Sequence, residues 1–307
     1  MIQNTLRGPV KFRGVGLHSG RITQLIVHPS AAGTGIVFIR SDLGGRRIPA
    51  KVSNVSNTTL STTLANDGAS VSTVEHLLAG LYCAGIDNAE IELDGPEVPI
   101  LDGSAAIFLS GFYDAGIVSL GSRRRCLAVR RPFEISRGNQ YIRWSPASRS
   151  RILCDISFGR SRAIGDQSVE VELNERSLNK ICQARTFCHI DDVDAMQSQG
   201  LAKGGSLENA IVVSNDDIVN AEGLRFECEF AYHKLLDCIG DLSLLGGFLT
   251  GQLEVSRGGH ALHIEFARAV LAAGDGILYE VGAQQRSTSG GEGSIEGLGL
   301  VAVPVLS

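Results

Sequence analysis

The sequence predicts an α+β protein made of two similar domains. Three observations lead there. The chain runs to 307 residues, more than a single domain usually holds. Each half reads as strands followed by helices, the order that lets a helical layer cover a sheet. Between the halves lies "GSRRRCLAVRRPFEI" (121–135), an arginine-rich break that sets the expected boundary near residue 121. The expected domains are 1–121 and 122–307. Arg123, Arg124, Arg125, Arg130 and Arg131 crowd the break, and a solvated linker explains them better than an anion site. No sequence repeat is strong enough to prove duplication.

Each element follows from its local pattern. "RITQLIVHPSAAGTGIVFIRSDL" alternates and ends in turn residues, so it reads as strands. After a Gly-, Asn- and Ser-rich segment, "VEHLLAGLYCAGI" has helical periodicity, with Gly85 as its stop. "NAEIELDG" is a strand leading into "DGPEVPILDGS", whose Asp-Gly pairs and prolines mark tight turns. "SAAIFLSGFYDAGI" is a further helix. The second half has strands to about residue 173 and a helix at "ERSLNKICQAR". A loop region, the helix "HKLLDCIGDLSLLG", a strand and the helix "HALHIEFARAVLA" complete it. The Gly/Ser-rich tail "QQRSTSGGEGSIEGLG" is expected to be mobile, although the final "LVAVPVLS" is apolar.

Composition bounds the function. With 43% hydrophobic and 20% charged residues, the chain matches soluble proteins that bury real cores. A net charge of −5 argues against nucleic-acid binding, which draws its affinity from neutralised phosphates. Seven cysteines, an odd number without a C-x-x-C pair, fit a reducing compartment better than a disulfide framework. Neither a signal-like apolar run nor a stretch of about 18 apolar residues occurs. The expectation is a soluble, cytoplasmic protein with no transmembrane segment.

The chemistry concentrates in "HKLLDCIGD" (233–241). His233, Asp237 and Asp241 recur every four residues and so stack along one helical stripe, with Lys234 beside it. Leu235, Leu236, Cys238 and Ile239 want a core, and charge buried among them is costly unless paired. A His/Asp pair at i and i+4 can reach one metal ion, although such a pair is more often a simple hydrogen bond. "STVEHLLAG" offers a further ligand, His76, with Glu75 just before it. Locally, a capping box from Ser72 to Glu75 accounts for the glutamate, and His76 alone could be a core histidine. Two histidines and a carboxylate are a usual catalytic zinc set. A free carboxylate beside them can accept a proton from water. His260 opens a helix after Gly258 and Gly259, where a cap-region role is the local account. His18, His189 and His263 have no pairing logic of their own. Gly14, Gly16 and Gly20 are misspaced for a dinucleotide fingerprint, which argues against a nicotinamide cofactor.

Taken together, "GVGLHSG", "STVEHLLAGLYCAGIDNAEIELDGPEVPILDGSAA", "ARTF", "GGSLENAIVV", "EGLRFECEFAYHKLLDCIGDL" and "GGHAL" resemble the UDP-3-O-acyl-N-acetylglucosamine deacetylase family. These are the zinc amidases of lipid A biosynthesis in Gram-negative bacteria. The likeness runs in order from about residue 2 to residue 273. It implies two α+β domains, each a helical layer on a β-sheet, with the active site between the helical layers. Inserts near 40–65 and 187–212 would frame the site and an acyl channel. The resemblance implies Zn2+ held by His76, His233 and Asp237. Glu75 would be the general base, His260 the general acid, and Asp241 its hydrogen-bond partner. Thr186 would stabilise the oxyanion, and Lys234 and Phe187 would contact the sugar. Leu17 and His18 would lie near the mouth of the acyl passage.

The implied partner is a UDP-3-O-acyl-glucosamine-type small molecule, compatible with weak association at the inner-membrane surface. Two departures are visible. "TFCHIDD" puts Cys188 and His189 where smaller or apolar channel residues are expected, and "ISFGRSRAIGD" lacks a His-Pro after Phe158. Neither touches the metal set. The rival expectation is a non-catalytic nucleotide-sugar-binding protein on the same fold. Loss of Glu75 or of a ligand would favour it, and none is lost. A hydrolase acting on a different amide is poorly discriminated, because substrate choice sits in loops and in the channel.

Overall fold

The computed structural model describes residues 1–282, so the glycine-rich tail and apolar end lie outside the described residues. Two five-stranded sheets carry the fold. The first orders its strands Val10–Val15, Ile22–Pro29, Ala89–Leu93, Ile36–Arg40 and Arg46–Pro49. The second orders Phe133–Arg137, Gln140–Ser145, Gln252–Ser256, Arg151–Phe158 and Gly165–Glu172. Numbered along the chain, both sheets read 1-2-5-3-4, and in both only the 5–3 pair is parallel. The repeat that the sequence does not display is present in the topology.

The strands obey the two-residue period of a sheet covered on one face. Leu25 and Val27 point inward from Ile22–Pro29, as do Ile152, Cys154 and Ile156 from Arg151–Phe158. The helices are α1 (Glu75–Cys83), α2 (Ala106–Ala115), α3 (Glu175–Cys182), α4 (Ile190–Ser198), α5 (Glu229–Ser243) and α6 (His260–Ala273). In each half one helix precedes the fifth strand and another follows it: α1 and α2 in the first, α5 and α6 in the second. Every residue of α1 is buried, and so are all but three of the fifteen in α5. Helices enclosed on all sides lie at the centre of a molecule, and these two pack on each other between the sheets.

Two segments interrupt the repeat. A three-stranded sheet (Val55–Asn57, Thr63–Asn66, Ala69–Val71) precedes α1. Before α5, the parallel strands Phe187–His189 and Ile211–Val213 flank α4. The sequence reading has this second region as a loop. The helix escapes notice because "IDDVDAMQS" buries none of its residues and so carries no apolar stripe.

The arginine-rich break is not a solvated linker throughout. Arg124 is buried, its Nη2 2.8 Å from Asp87 Oδ2 and its guanidinium 4.3 Å above the Phe248 ring. A residue from the junction thus binds both halves, a long-range pairing that local composition cannot reveal.

Candidate active site

The site forms where α1 and α5 cross. Gly240 permits the approach, because a Cβ there would lie 2.1 Å from the Glu75 carbonyl oxygen. That contact sets the N-terminal turn of α1 against the last third of α5. His76 Nε2 then lies 3.6 Å from Asp237 Oδ1, and His233 Nε2 lies 3.4 Å from the same oxygen. The two imidazoles meet edge to face, with centroids 5.0 Å apart.

Protonation favours a cation here. His233 Nδ1 faces the Ala184 carbonyl at 3.3 Å, so its proton sits there and the Nε2 lone pair is free. Burial lowers the His233 pKa to about 3, keeping the ring neutral despite Asp237 nearby. Burial opposes charge on Asp237, but the surrounding imidazoles and Lys234 hold it well below the usual carboxylate range. Lys234 Nζ donates to Oδ2 at 2.7 Å, which leaves Oδ1 for another partner. The donor separations of 3.4 and 3.6 Å are long for N–H···O bonds. They suit a tetrahedral ion, whose ligands at about 2.1 Å stand about 3.4 Å apart. The donor set fits a divalent metal.

Glu75 is the first residue of α1, and no capping box forms. The Ser72 amide donates instead to Pro96 O at 2.9 Å, while Glu75 Oε2 accepts the Thr62 amide at 3.0 Å. The local signature was sound; a long-range partner took the amide. Burial raises the Glu75 pKa, against the pull of His260 and His76. His260 Nε2 stands 4.0 Å from Glu75 Oε1.

His260 begins α6, as expected, and its Nδ1 donates to Asp241 Oδ2 at 2.8 Å. Burial works against its charge, yet Asp241, Glu75 and Asp237 together raise its pKa to about 9. Asp241, fully buried, has its pKa lowered to about 2: burial opposes the charge, and His260 and His263 overcome it. Its other oxygen accepts the Thr62 hydroxyl at 2.5 Å.

These groups open into a cavity of about 720 Å³. Glu75, His76, His233, Lys234, Asp237 and His260 are among its polar lining, with Arg160 and Asp192 charged elsewhere on the wall. Phe158, Ile164, Phe187, Met196, Leu17 and Leu262 supply apolar wall. Thr186, Phe187, Lys234 and Leu17 therefore share a cavity with the donor set. His18 is not among the lining residues. Its ring is buried, with Nδ1 3.4 Å from the Ala202 amide, and burial lowers its pKa. His189 borders the cavity but also caps α4: Nδ1 accepts the Asp191 amide at 3.2 Å, and Nε2 faces Asn215 Oδ1 at 3.2 Å.

Two participants, Thr62 and Glu97, escape the sequence reading, and a third, His263, is named there without a partner. Thr62 lies in a polar segment with no periodicity to mark it. Glu97, fully buried, accepts the amides of His18 and Ser19 and the Thr73 hydroxyl, and so shapes the Leu17–His18 turn. His263 stands three residues after His260, a spacing that could have paired them on one helical face.

Two α+β halves meeting across their central helices, with a three-donor cation site and a free carboxylate beside it, define a metal-dependent hydrolase. Comparison with known proteins agrees. The family model for UDP-3-O-acyl N-acetylglycosamine deacetylase matches residues 3–272. A protein of Anaeromyxobacter dehalogenans with the name UDP-3-O-acyl-N-acetylglucosamine deacetylase is 48% identical over 271 residues, 88% of this chain and 87% of its own. Relatives of the same name from Myxococcus xanthus (42% over 300 residues, 97% and 93% of the two chains) and Campylobacter fetus (42% over 273, 89% and 92%) are also similar. The chain belongs to the UDP-3-O-acyl N-acetylglycosamine deacetylase family, a metal-dependent one. Among the described residues no helix is long and apolar enough to cross a membrane.

Proposed function

We infer that the protein hydrolyses the 2-acetamido group of UDP-3-O-(3-hydroxyacyl)-N-acetylglucosamine. Water adds across the amide to give acetate and a free amine, a step of lipid A biosynthesis in the Gram-negative cytoplasm. Family membership supports this reading, and one geometric observation carries it: Glu75 and His260 face each other at 4.0 Å beside the three-donor set. An amide needs both a base for the incoming water and an acid for the departing nitrogen.

His76, His233 and Asp237 would hold zinc, which when bound polarises the carbonyl and makes water more acidic. These ligand types also accept iron(II); zinc is the reading adopted. Glu75 removes the proton from the attacking water, and its burial makes it a stronger base than an exposed carboxylate. Thr186 donates to the developing oxyanion, a contribution of about 3 kcal/mol in comparable sites. His260, held as imidazolium by Asp241, gives its Nε2 proton to the nitrogen so that it leaves as an amine. Lys234 and Phe187 contact the sugar. Leu17 borders the apolar wall that takes the acyl chain, with His18 buried behind it.

The non-catalytic nucleotide-sugar-binding alternative has no observation in its favour. The decisive experiment supplies metal-loaded protein with the acylated UDP-sugar and assays acetate. Release that requires the acyl group is expected; no release sinks the proposed reaction.

A further inference from the structure

Asp241 holds two histidines, and the proposed mechanism uses one. His263 Nδ1 lies 2.8 Å from Asp241 Oδ2, the same oxygen and the same distance as His260 Nδ1. The rings stand at 84° with centroids 6.3 Å apart, so both N–H groups reach one oxygen without colliding. His263 is fully buried, and burial lowers its pKa, leaving a neutral ring. Facing a carboxylate, the one proton of that ring belongs on Nδ1. Its Nε2 is then a bare, buried acceptor with no hydrogen-bond partner.

That orphan nitrogen is informative. A buried acceptor without a donor is costly, so packing alone would be better served by an apolar side chain. The backbone also makes room for the ring. A Cβ on Gly258 would lie 2.7 Å from His263 Nε2 and 2.4 Å from Val255 Cγ1.

We propose that His263 is a positioning residue for the deacetylation, fixing Asp241 so that His260 keeps its Nε2 directed at the reacting nitrogen. The Asp241 carboxylate receives three donors from two parts of the chain: Thr62, just before the strand Thr63–Asn66, on Oδ1, and His260 and His263, both of α6, on Oδ2. With all three in place it cannot turn about its own axis. Without His263 one side of Oδ2 is open, and the carboxylate can swing and carry the His260 ring with it. His263 touches no reacting atom.

The inference rests on His260 being the proton donor, so its test has one arm that needs no turnover. In histidine-labelled protein, 15N–1H correlation should show His263 neutral with its proton on Nδ1. A proton on Nε2 instead overturns the proposal, whatever the enzyme does. The kinetic arm compares His263→Leu, which offers no donor, with His263→Asn, which keeps an N–H. The leucine variant should lose about 10- to 100-fold in kcat, the usual scale for such supporting partners, with KM and bound metal unchanged. The asparagine variant should recover most of that loss. A leucine variant at the wild-type rate, or an asparagine variant as slow as the leucine one, overturns the assignment.

Discussion

Gly240 of α5 lies against the main chain of Glu75 in α1, so close that a Cβ would stand 2.1 Å from the glutamate carbonyl oxygen. The obstacle is backbone in a helix and cannot turn aside as a side chain could. Gly240→Ala should therefore separate the two helices that carry the donor set. Overpacking of a core costs about 1–3 kcal/mol, and this site belongs at the upper end. Thermal unfolding should show the loss, and metal analysis a reduced content. A variant with wild-type melting and full metal would show that the crossing tolerates a wider gap.

Glu75→Gln separates structure from chemistry. A glutamine oxygen can still accept the Thr62 amide, which is 3.0 Å from Glu75 Oε2, but it cannot take a proton from water. The expected result is at least a 10²-fold fall in kcat with little change in melting temperature. Retained turnover would remove Glu75 from the reaction.

Metal content tests the donor set directly. One divalent ion per chain is expected in purified protein, and His233→Ala should abolish tight binding by removing a neutral, pre-oriented imidazole. Chelation should also lower the melting temperature, because an ion bound only by the folded state stabilises it. Full occupancy in the alanine variant would disprove the assignment.

His260 provides a pH signature. Its folded pKa of about 9 exceeds the ordinary histidine value of 6.5. The imidazolium–Asp241 pair should thus contribute stability in full below about pH 6.5, and that contribution should fade as pH rises through 9. In Asp241→Asn the charged partner is gone, so the His260 pKa falls. The alkaline limb of kcat/KM should move to lower pH, and the stability gap between the two proteins should close above about pH 9. An unmoved limb would leave Asp241 with a structural role alone.

The stripe of His233, Asp237 and Asp241 is legible in the sequence because helical spacing is a local property. Charge among Leu235, Leu236, Cys238 and Ile239 marks it as unusual before any coordinates. Strand alternation in "RITQLIVHP" and the helix of α1 are legible for the same reason: period and turn residues lie within a few positions. What each polar group meets is not local. The Thr62 hydroxyl and Asp241 are 179 residues apart in sequence, yet they bond across the crossing of α1 and α5. The amide of Ser72 goes to Pro96, not to Glu75, and Arg124 leaves an apparent linker to pair with Asp87. α4 carries no apolar stripe, so pattern alone hides it. The sequence by itself determined the chemical groups and the periodic elements that present them. Tertiary structure alone decided their partners, because burial removes water as the alternative and obliges each donor and acceptor to find whatever the fold brings near.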